Sequence, residues 1–434
     1  MSLAARDKNV IWHPFTQHQS TSFPVPITSA SGAYLIDEKG YRYLDLISSW
    51  WVNLHGHGHP IIAKAIYEQA MQLEHVIFAG FTHEPAIRLA EELIKILPNG
   101  FGKIFYSDNG STAVEIALKL AYQYWKNLGE SQRKRFIAFK SGYHGDTFGA
   151  MAVGKQSGFF SAFEDLLFHV DTFAYPAIWL NDPMQLQKED LVLIEISQFL
   201  EKYGHETAAM IIEPLVQGAG GMQMCSTRFL KNLETLVRSY GVLIVYDEVM
   251  TGFCRTGDYF ACLKSQTTPD IICMAKGITG GFLPLAVTAC QDFIYKSFLG
   301  ETFVNAFAHG HSYTANPLGC AAALASLALL QQTETQHQIK MIEKVHSEEL
   351  SKLYNSDVIN ALRYCGTIAA FNLVMTTNYG SDRSNHLKEK FHQRGLIIRP
   401  LGQVIYMLPP YCVTEDELRN AYVIVMEELE GVKA

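Results

Sequence analysis

The 434-residue chain has no cysteine before residue 225, and none of its eight cysteines stands in a Cys-x-x-Cys pair. The tightest run, Cys254, Cys262 and Cys273, matches no common zinc-ligand spacing. The pattern argues against a disulfide framework and reads as reduced, mostly buried thiols. No apolar stretch is long enough for a bilayer; the longest, residues 317–330, is short and rich in alanine. The opening residues, MSLAARDKNVIWHPF, lack the apolar run of a signal peptide. Basic blocks are also missing. Lys and Arg number 35 against 43 Asp and Glu, a formal charge of −8, which argues against a nucleic-acid partner. These absences lead us to expect a soluble, cytoplasmic enzyme with no membrane contact.

What is present is globular material, 48% apolar and 18% charged, enough for a large buried core. At about 150 residues per domain, the length suggests two or three units. Residues 33–37 and 41–46 read as a β-hairpin about Glu38-Lys39-Gly40. Further on, helices and strands alternate. Short apolar strands are expected at 104–106, 136–139, 210–212, 242–246, 271–274 and 286–289. Thr112-x-x-Glu115 reads as a capping box that opens a helix. Residues 396–399 and 404–408 resemble a second hairpin, and Thr414-x-x-Glu417 caps a last helix. The expected fold is α/β: a central, mostly parallel sheet flanked by helices, with a smaller α+β lobe drawn from both ends. The expected boundaries are 1–48 and 330–434 for the small lobe and 49–329 for the large one.

Such sheets bind ligands at the carboxyl ends of their strands. After 104–106 come Gly110, Ser111 and Thr112 at a helix start, where free N–H groups and the helix dipole suit an anion, although a plain cap is the commoner reading. After 136–139 come Gly142, Tyr143, His144, Gly145 and Asp146. After 242–246 comes Asp247, costly to bury unless it meets a cation. After 271–274 comes Lys276, a candidate amine nucleophile whose pKa burial would lower. Each alone is weak. Together, a phosphate cradle, an aromatic ring, a carboxylate and a lysine on one sheet edge are what pyridoxal phosphate (PLP) requires.

The chain resembles the class III aminotransferases of the fold-type I PLP enzymes. The resemblance rests on Ile211-Ile212-Glu213-Pro214 with Gly220-Gly221, on Asp247-Glu248-Val249 with Thr251-Gly252-Phe253-Cys254-Arg255-Thr256-Gly257, and on Lys276-Gly277 with Gly280-Gly281. Cys254 stands where the family usually has glycine. Narrower motifs are Trp12-His13-Pro14-Phe15-Thr16, Ser48-Ser49-Trp50-Trp51, residues 142–151, Arg399-Pro400 and residues 406–411. These resemble the branch that aminates 8-amino-7-oxononanoate in biotin biosynthesis.

The resemblance implies PLP as cofactor, small-molecule substrates and a homodimer with shared active sites. It implies that Lys276 binds the cofactor and shuttles a proton, that Asp247 pairs with the pyridine nitrogen, and that Tyr143 stacks on the ring and touches substrate. Gly110 and Ser111 should hold the phosphate, and Gly310, His311 and Ser312 should reach the neighbouring subunit's site. Phe15 and Trp50 should line the substrate path, and Arg399 should clamp the acceptor's carboxylate. Phe15 and His311 replace the usual Tyr and Pro, so the donor can be S-adenosylmethionine or lysine. Other acceptors of the family, such as acetylornithine, γ-aminobutyrate or a diamine, are the alternative. A metal-dependent hydrolase is a rival from another class, because His55, His57 and His59 would share one side of an extended strand. Their intervening glycines and Pro60 argue against a regular strand, so no metal is expected.

Overall fold

The computed structural model describes residues 2–155, 159–374 and 380–431. Its centre is a seven-stranded sheet. In spatial order the strands are Phe101–Ser107, Ala286–Gln291, Ile271–Met274, Leu243–Asp247, Thr207–Ile212, Arg135–Phe139 and Asp171–Phe173. All neighbours run parallel except Ala286–Gln291, which is antiparallel to both of its partners. Every residue of Thr207–Ile212, Leu243–Asp247 and Ile271–Met274 is buried. The period-two alternation explains why. Met210, Ile212, Ile244, Tyr246, Ile272 and Met274 join one apolar core, while Ala209, Ile211, Leu243, Val245, Ile271 and Cys273 join another. Helix Thr227–Ser239 supplies Phe229, Leu230, Leu233 and Val237 to the first. Helix Gly110–Asn127 supplies Val114, Ala117, Leu118 and Ala121 to the second.

One smaller sheet combines the chain ends. Ile27–Ser31, Tyr34–Asp37 and Arg42–Asp45 form an antiparallel run, and Leu396–Ile397 adds to its edge in parallel. The first hairpin is present. Its turn closes on Asp37, whose carboxylate accepts the N–H groups of Lys39 (2.9 Å) and Tyr41 (2.8 Å). The second hairpin is not. Leu396–Ile397 bonds to Leu44 and Asp45, whereas Val404–Met407 pairs with Ile368–Leu373. Only Leu401 and Val404 bridge the two arms. Pro400 has no N–H to extend that ladder, so each arm goes to a different sheet.

The expected capping box also needs correction. Helix Gly110–Asn127 starts three residues earlier, and its reciprocal cap joins Asn109 and Thr112. Glu115 instead accepts the N–H groups of Gly149 (2.6 Å) and Ala150 (3.2 Å), tying its helix to the start of helix Phe148–Val153. The last helix, Glu415–Gly431, opens on the expected Thr414–Glu417 exchange. Among the described residues, no helix is long and apolar enough to cross a membrane.

Candidate active site

A pocket of about 600 Å³ opens at the carboxyl edge of the central sheet. Its floor is built from the segments that follow the strands. Gly110 and Ser111 come from the first, Tyr143 to Thr147 from the second, and Glu213, Asp247 and Lys276 from the next three. Phe15, Trp50, Trp51, Arg399 and Tyr406 enter from the terminal segments.

Asp247 ends its strand at 4% exposure. One carboxylate oxygen lies 2.7 Å from His144 Nδ1, and the other accepts the N–H of Val249 at 3.0 Å. Burial pulls the His144 imidazole down, but the hydrogen bond and charge of Asp247 outweigh it, so its pKa sits above the ordinary value. Lys276 follows the next strand with φ +40°, a backbone region that residues with a side chain seldom adopt. Its amine lies 5.2 Å from the ring centroid of Trp51. Burial pushes that amine below its usual range, and Asp247 and Glu213 only partly offset this. A lysine so placed keeps a larger neutral fraction, which is the nucleophilic form.

The helix start is a cradle. Asn109 caps the N–H of Thr112 at 3.1 Å, and Gly110 and Ser111, whose N–H groups precede the intrahelical ladder, line the pocket. The cradle has no room for side chains. A Cβ on Gly110 would meet Val249 at 2.6 Å, and one on Gly145 would meet Ser111 Oγ at 2.3 Å. Ser111 Oγ itself accepts the N–H of Thr147 at 3.0 Å and lies 2.7 Å from Thr147 Oγ1. An anion-sized cradle, a buried carboxylate oriented by an imidazole, and a buried amine of lowered basicity are the donor set that PLP needs, so these residues fit that cofactor.

Tyr143 packs against Phe160 with ring centroids 5.8 Å apart, and its hydroxyl donates to Asp146 at 3.0 Å. Phe15 meets Trp50 and Phe159 edge-on at 5.8 and 5.9 Å. The Arg399 guanidinium stacks on Trp50, 4.3 Å from the ring centroid. Gly310, His311 and Ser312 do not line this pocket. They lie between the turn Phe303–Asn305 and helix Pro317–Leu330, where His311 contacts His309 at 3.0 Å and Asp108 at 3.4 Å. In the 55–59 run the His55 and His59 rings meet edge-on at 6.1 Å, while His57 turns away to Asp45. His55 Nε2 meets Ser326 at 3.1 Å, His57 Nε2 meets Asp45 at 2.9 Å, and His59 precedes helix Pro60–Gln72. Among the described residues, no group of three His, Cys, Asp or Glu side chains is disposed to hold a metal. Arg255 braces a turn rather than facing the pocket, donating to the carbonyls of Asn53 and Pro409 at 2.8 Å each. Cys254, in the usual glycine position, keeps a left-handed backbone at φ +71°.

Sequence reasoning left His144 and Glu213 without a role. Glu213 is 5% exposed and accepts the N–H groups of Tyr143 and Gly218, both at 2.9 Å. The logic applied to Asp247, a carboxylate after an apolar strand, would have found it. Burial pushes its pKa up to about 7 from 4.5, against the pull of His144 and the two N–H groups. A raised acid pKa stabilises the fold fully below the unfolded value and loses that contribution as pH rises through the folded one. Between pH 4.5 and about 7, wild-type cofactor-free protein should lose about 3 kcal/mol through this group. Glu213→Gln removes the titration. Its Tm relative to wild type should therefore improve from pH 5 to pH 8; a constant difference would show that Glu213 does not titrate in that window.

Comparison with known proteins agrees with the geometry. The aminotransferase class-III family profile matches residues 15–429. An adenosylmethionine-8-amino-7-oxononanoate aminotransferase of Synechococcus elongatus is 48% identical over 97% of this chain and 99% of its own length. One from Geobacter sulfurreducens is 40% identical, over 95% and 94% of the two chains. The crystal structure of the Methanocaldococcus jannaschii enzyme of that name superposes with a TM-score of 0.92 at 36% identity, covering 99% of this chain and 98% of the other. A PLP-bound amine transaminase from an uncultivated Pseudomonas species superposes with a TM-score of 0.91 at 27% identity, over 97% and 98%. With the profile spanning nearly the whole chain and full-length relatives on both counts, the chain belongs to the class-III aminotransferases, a family of PLP-dependent transaminases.

Proposed function

We propose that this transaminase moves an amino group onto C7 of 8-amino-7-oxononanoate, giving 7,8-diaminononanoate for biotin synthesis, with S-adenosylmethionine as the donor. One observation carries the acceptor assignment. Two nitrogen-bearing side chains lie over adjacent indoles of one pocket, the Lys276 amine over Trp51 and the Arg399 guanidinium over Trp50. A substrate with a ketone at one end, a carboxylate at the other and methylenes between needs that pair of groups and apolar walls. The names of the relatives support the same acceptor.

When bound, PLP supplies an electron sink for charge developing at the substrate carbon. The residues of this chain do the rest. Lys276 Nζ attaches the cofactor and then carries a proton to and from the reacting carbon. Asp247 holds the proton on the pyridine nitrogen, and His144 fixes the carboxylate. The N–H groups of Gly110 and Ser111 hold the phosphate, and Tyr143 packs on the ring. His311 and Ser312 complete the phosphate site of a second subunit and Gly310 borders its substrate path, which makes the working unit a homodimer. Phe15 and Trp50 wall the substrate path, and Arg399 grips the acceptor carboxylate through its planar fork.

A second donor is favoured by one residue. Phe15 offers no hydroxyl to a polar donor at a position that lines the pocket, which suits lysine. The test is the first half-reaction. The yellow PLP form is mixed with S-adenosylmethionine, or separately with lysine, and bleaching of the cofactor band is followed before the oxononanoate is added. Bleaching by S-adenosylmethionine supports the stated donor, and bleaching by lysine alone replaces it. Failure of the oxononanoate to restore the band after either donor would overturn the acceptor. Arg399→Ala should raise the acceptor KM by an amount matching roughly 2–5 kcal/mol, the usual effect of breaking a buried charge pair. An unchanged KM would remove Arg399 from the site.

A further inference from the structure

The turn that presents the two indoles has a strained backbone. Ser48, Ser49 and Trp51 have φ of 50°, 60° and 67°, a region disfavoured for any residue with a Cβ. Such a turn persists only if its surroundings over-determine it. Asp45 provides that restraint. It is fully buried, and its carboxylate accepts the N–H of Ile47 at 3.2 Å and the N–H of Ser49 at 2.6 Å. The Ser49 hydroxyl also donates to it at 3.3 Å, and His57 Nε2 lies 2.9 Å away. His57 Nδ1 faces Asn53 Nδ2 at 3.3 Å. An amide NH2 can only donate, so Nδ1 accepts and the ring proton sits on Nε2, aimed at Asp45.

The same device reaches the pocket wall. Trp51 Nε1 donates to the Tyr406 hydroxyl at 3.0 Å, and Ser48 Oγ donates to the Leu408 carbonyl at 2.7 Å. The glycines around His57 let it approach. A Cβ on Gly56 would lie 2.7 Å from Cys412 Sγ, and the His57 N–H donates to the Gly32 carbonyl at 2.7 Å. One imidazole of the 55–59 run thus has a structural partner.

We propose that Asp45 and His57 are positioning residues of the active site. They hold the strained 48–51 turn so that Trp50 stays under Arg399 and Trp51 stays against Tyr406, and this sets the fit of the long acceptor. The substrate part of this inference rests on the acceptor assigned above; the part about the indoles does not.

The test compares wild-type holoenzyme with His57→Leu and His57→Gln. Glutamine keeps an N–H donor for Asp45 and leucine does not. His57→Leu should raise the KM for 8-amino-7-oxononanoate by roughly tenfold or more while kcat stays within about threefold, the signature of lost binding rather than lost chemistry. His57→Gln should restore most of the KM. Acrylamide quenching of tryptophan emission should rise in the leucine variant and return with glutamine. If the leucine variant does not accumulate as folded protein, Asp45→Asn is measured in the same way. Unchanged KM and quenching in a folded variant, or a fall in kcat alone, would overturn the positioning role. A wild-type enzyme that ignores the oxononanoate would overturn only the acceptor assignment, and quenching would still decide the role of the turn.

Discussion

Lys276→Ala should lower turnover by roughly 10⁴-fold or more while the protein still binds PLP. A positioned acid or base alone is worth about 10²–10⁴-fold, and this substitution removes the covalent anchor as well. The lysine stands alone in the pocket as an amine of lowered basicity, beside Asp247 and Glu213 and above the Trp51 ring. Binding should survive because the helix-start cradle and Asp247 come from other strands. The check is single-turnover kinetics with the donor, alongside the spectrum of the bound cofactor. Activity within tenfold of wild type would sink the assignment.

Asp247→Asn should reduce kcat by roughly 10²–10³-fold, the usual loss when a preorganised electrostatic partner is removed from a dry site. The amide keeps the size but not the charge. Two neighbours report the change independently of turnover. His144 owes its raised pKa to the hydrogen bond and charge of Asp247 against the opposing effect of burial, so its pKa should fall when the charge is lost. The Lys276 amine also loses the anion that raises it, so its pKa should fall further. Titration of the imidazole by NMR reads the first effect. A kcat within threefold of wild type, or an unmoved His144, would remove Asp247 from its role.

These two residues were legible for a local reason. Each ends or directly follows a short apolar strand, and a charged group there has few bland uses. The strand 242–246 was placed one residue early, and Asp247 proves to be its last residue. Glu213 obeys the same rule, directly following the apolar strand Thr207–Ile212. The helix-start cradle was legible as well, although its cap belongs to Asn109 rather than to Thr112 and Glu115.

The sequence by itself determined the α/β class, six of the seven central strands (not Asp171–Phe173) and the chemistry at their carboxyl ends. Hydrophobic period and turn residues act within a few positions, and those signals are local. Only the tertiary structure decided what closes the pocket. Trp51 meets Tyr406 across 355 positions, and Ser48 meets Leu408 across 360. The arms of the supposed second hairpin separate, one to the edge of Arg42–Asp45 and the other to Ile368–Leu373. The histidines at 55, 57 and 59 look like a cluster in the sequence, yet His55 turns to Ser326 and His57 to Asp45. Contacts of that kind depend on which buried polar groups the folded chain leaves to be satisfied, and no local pattern records them.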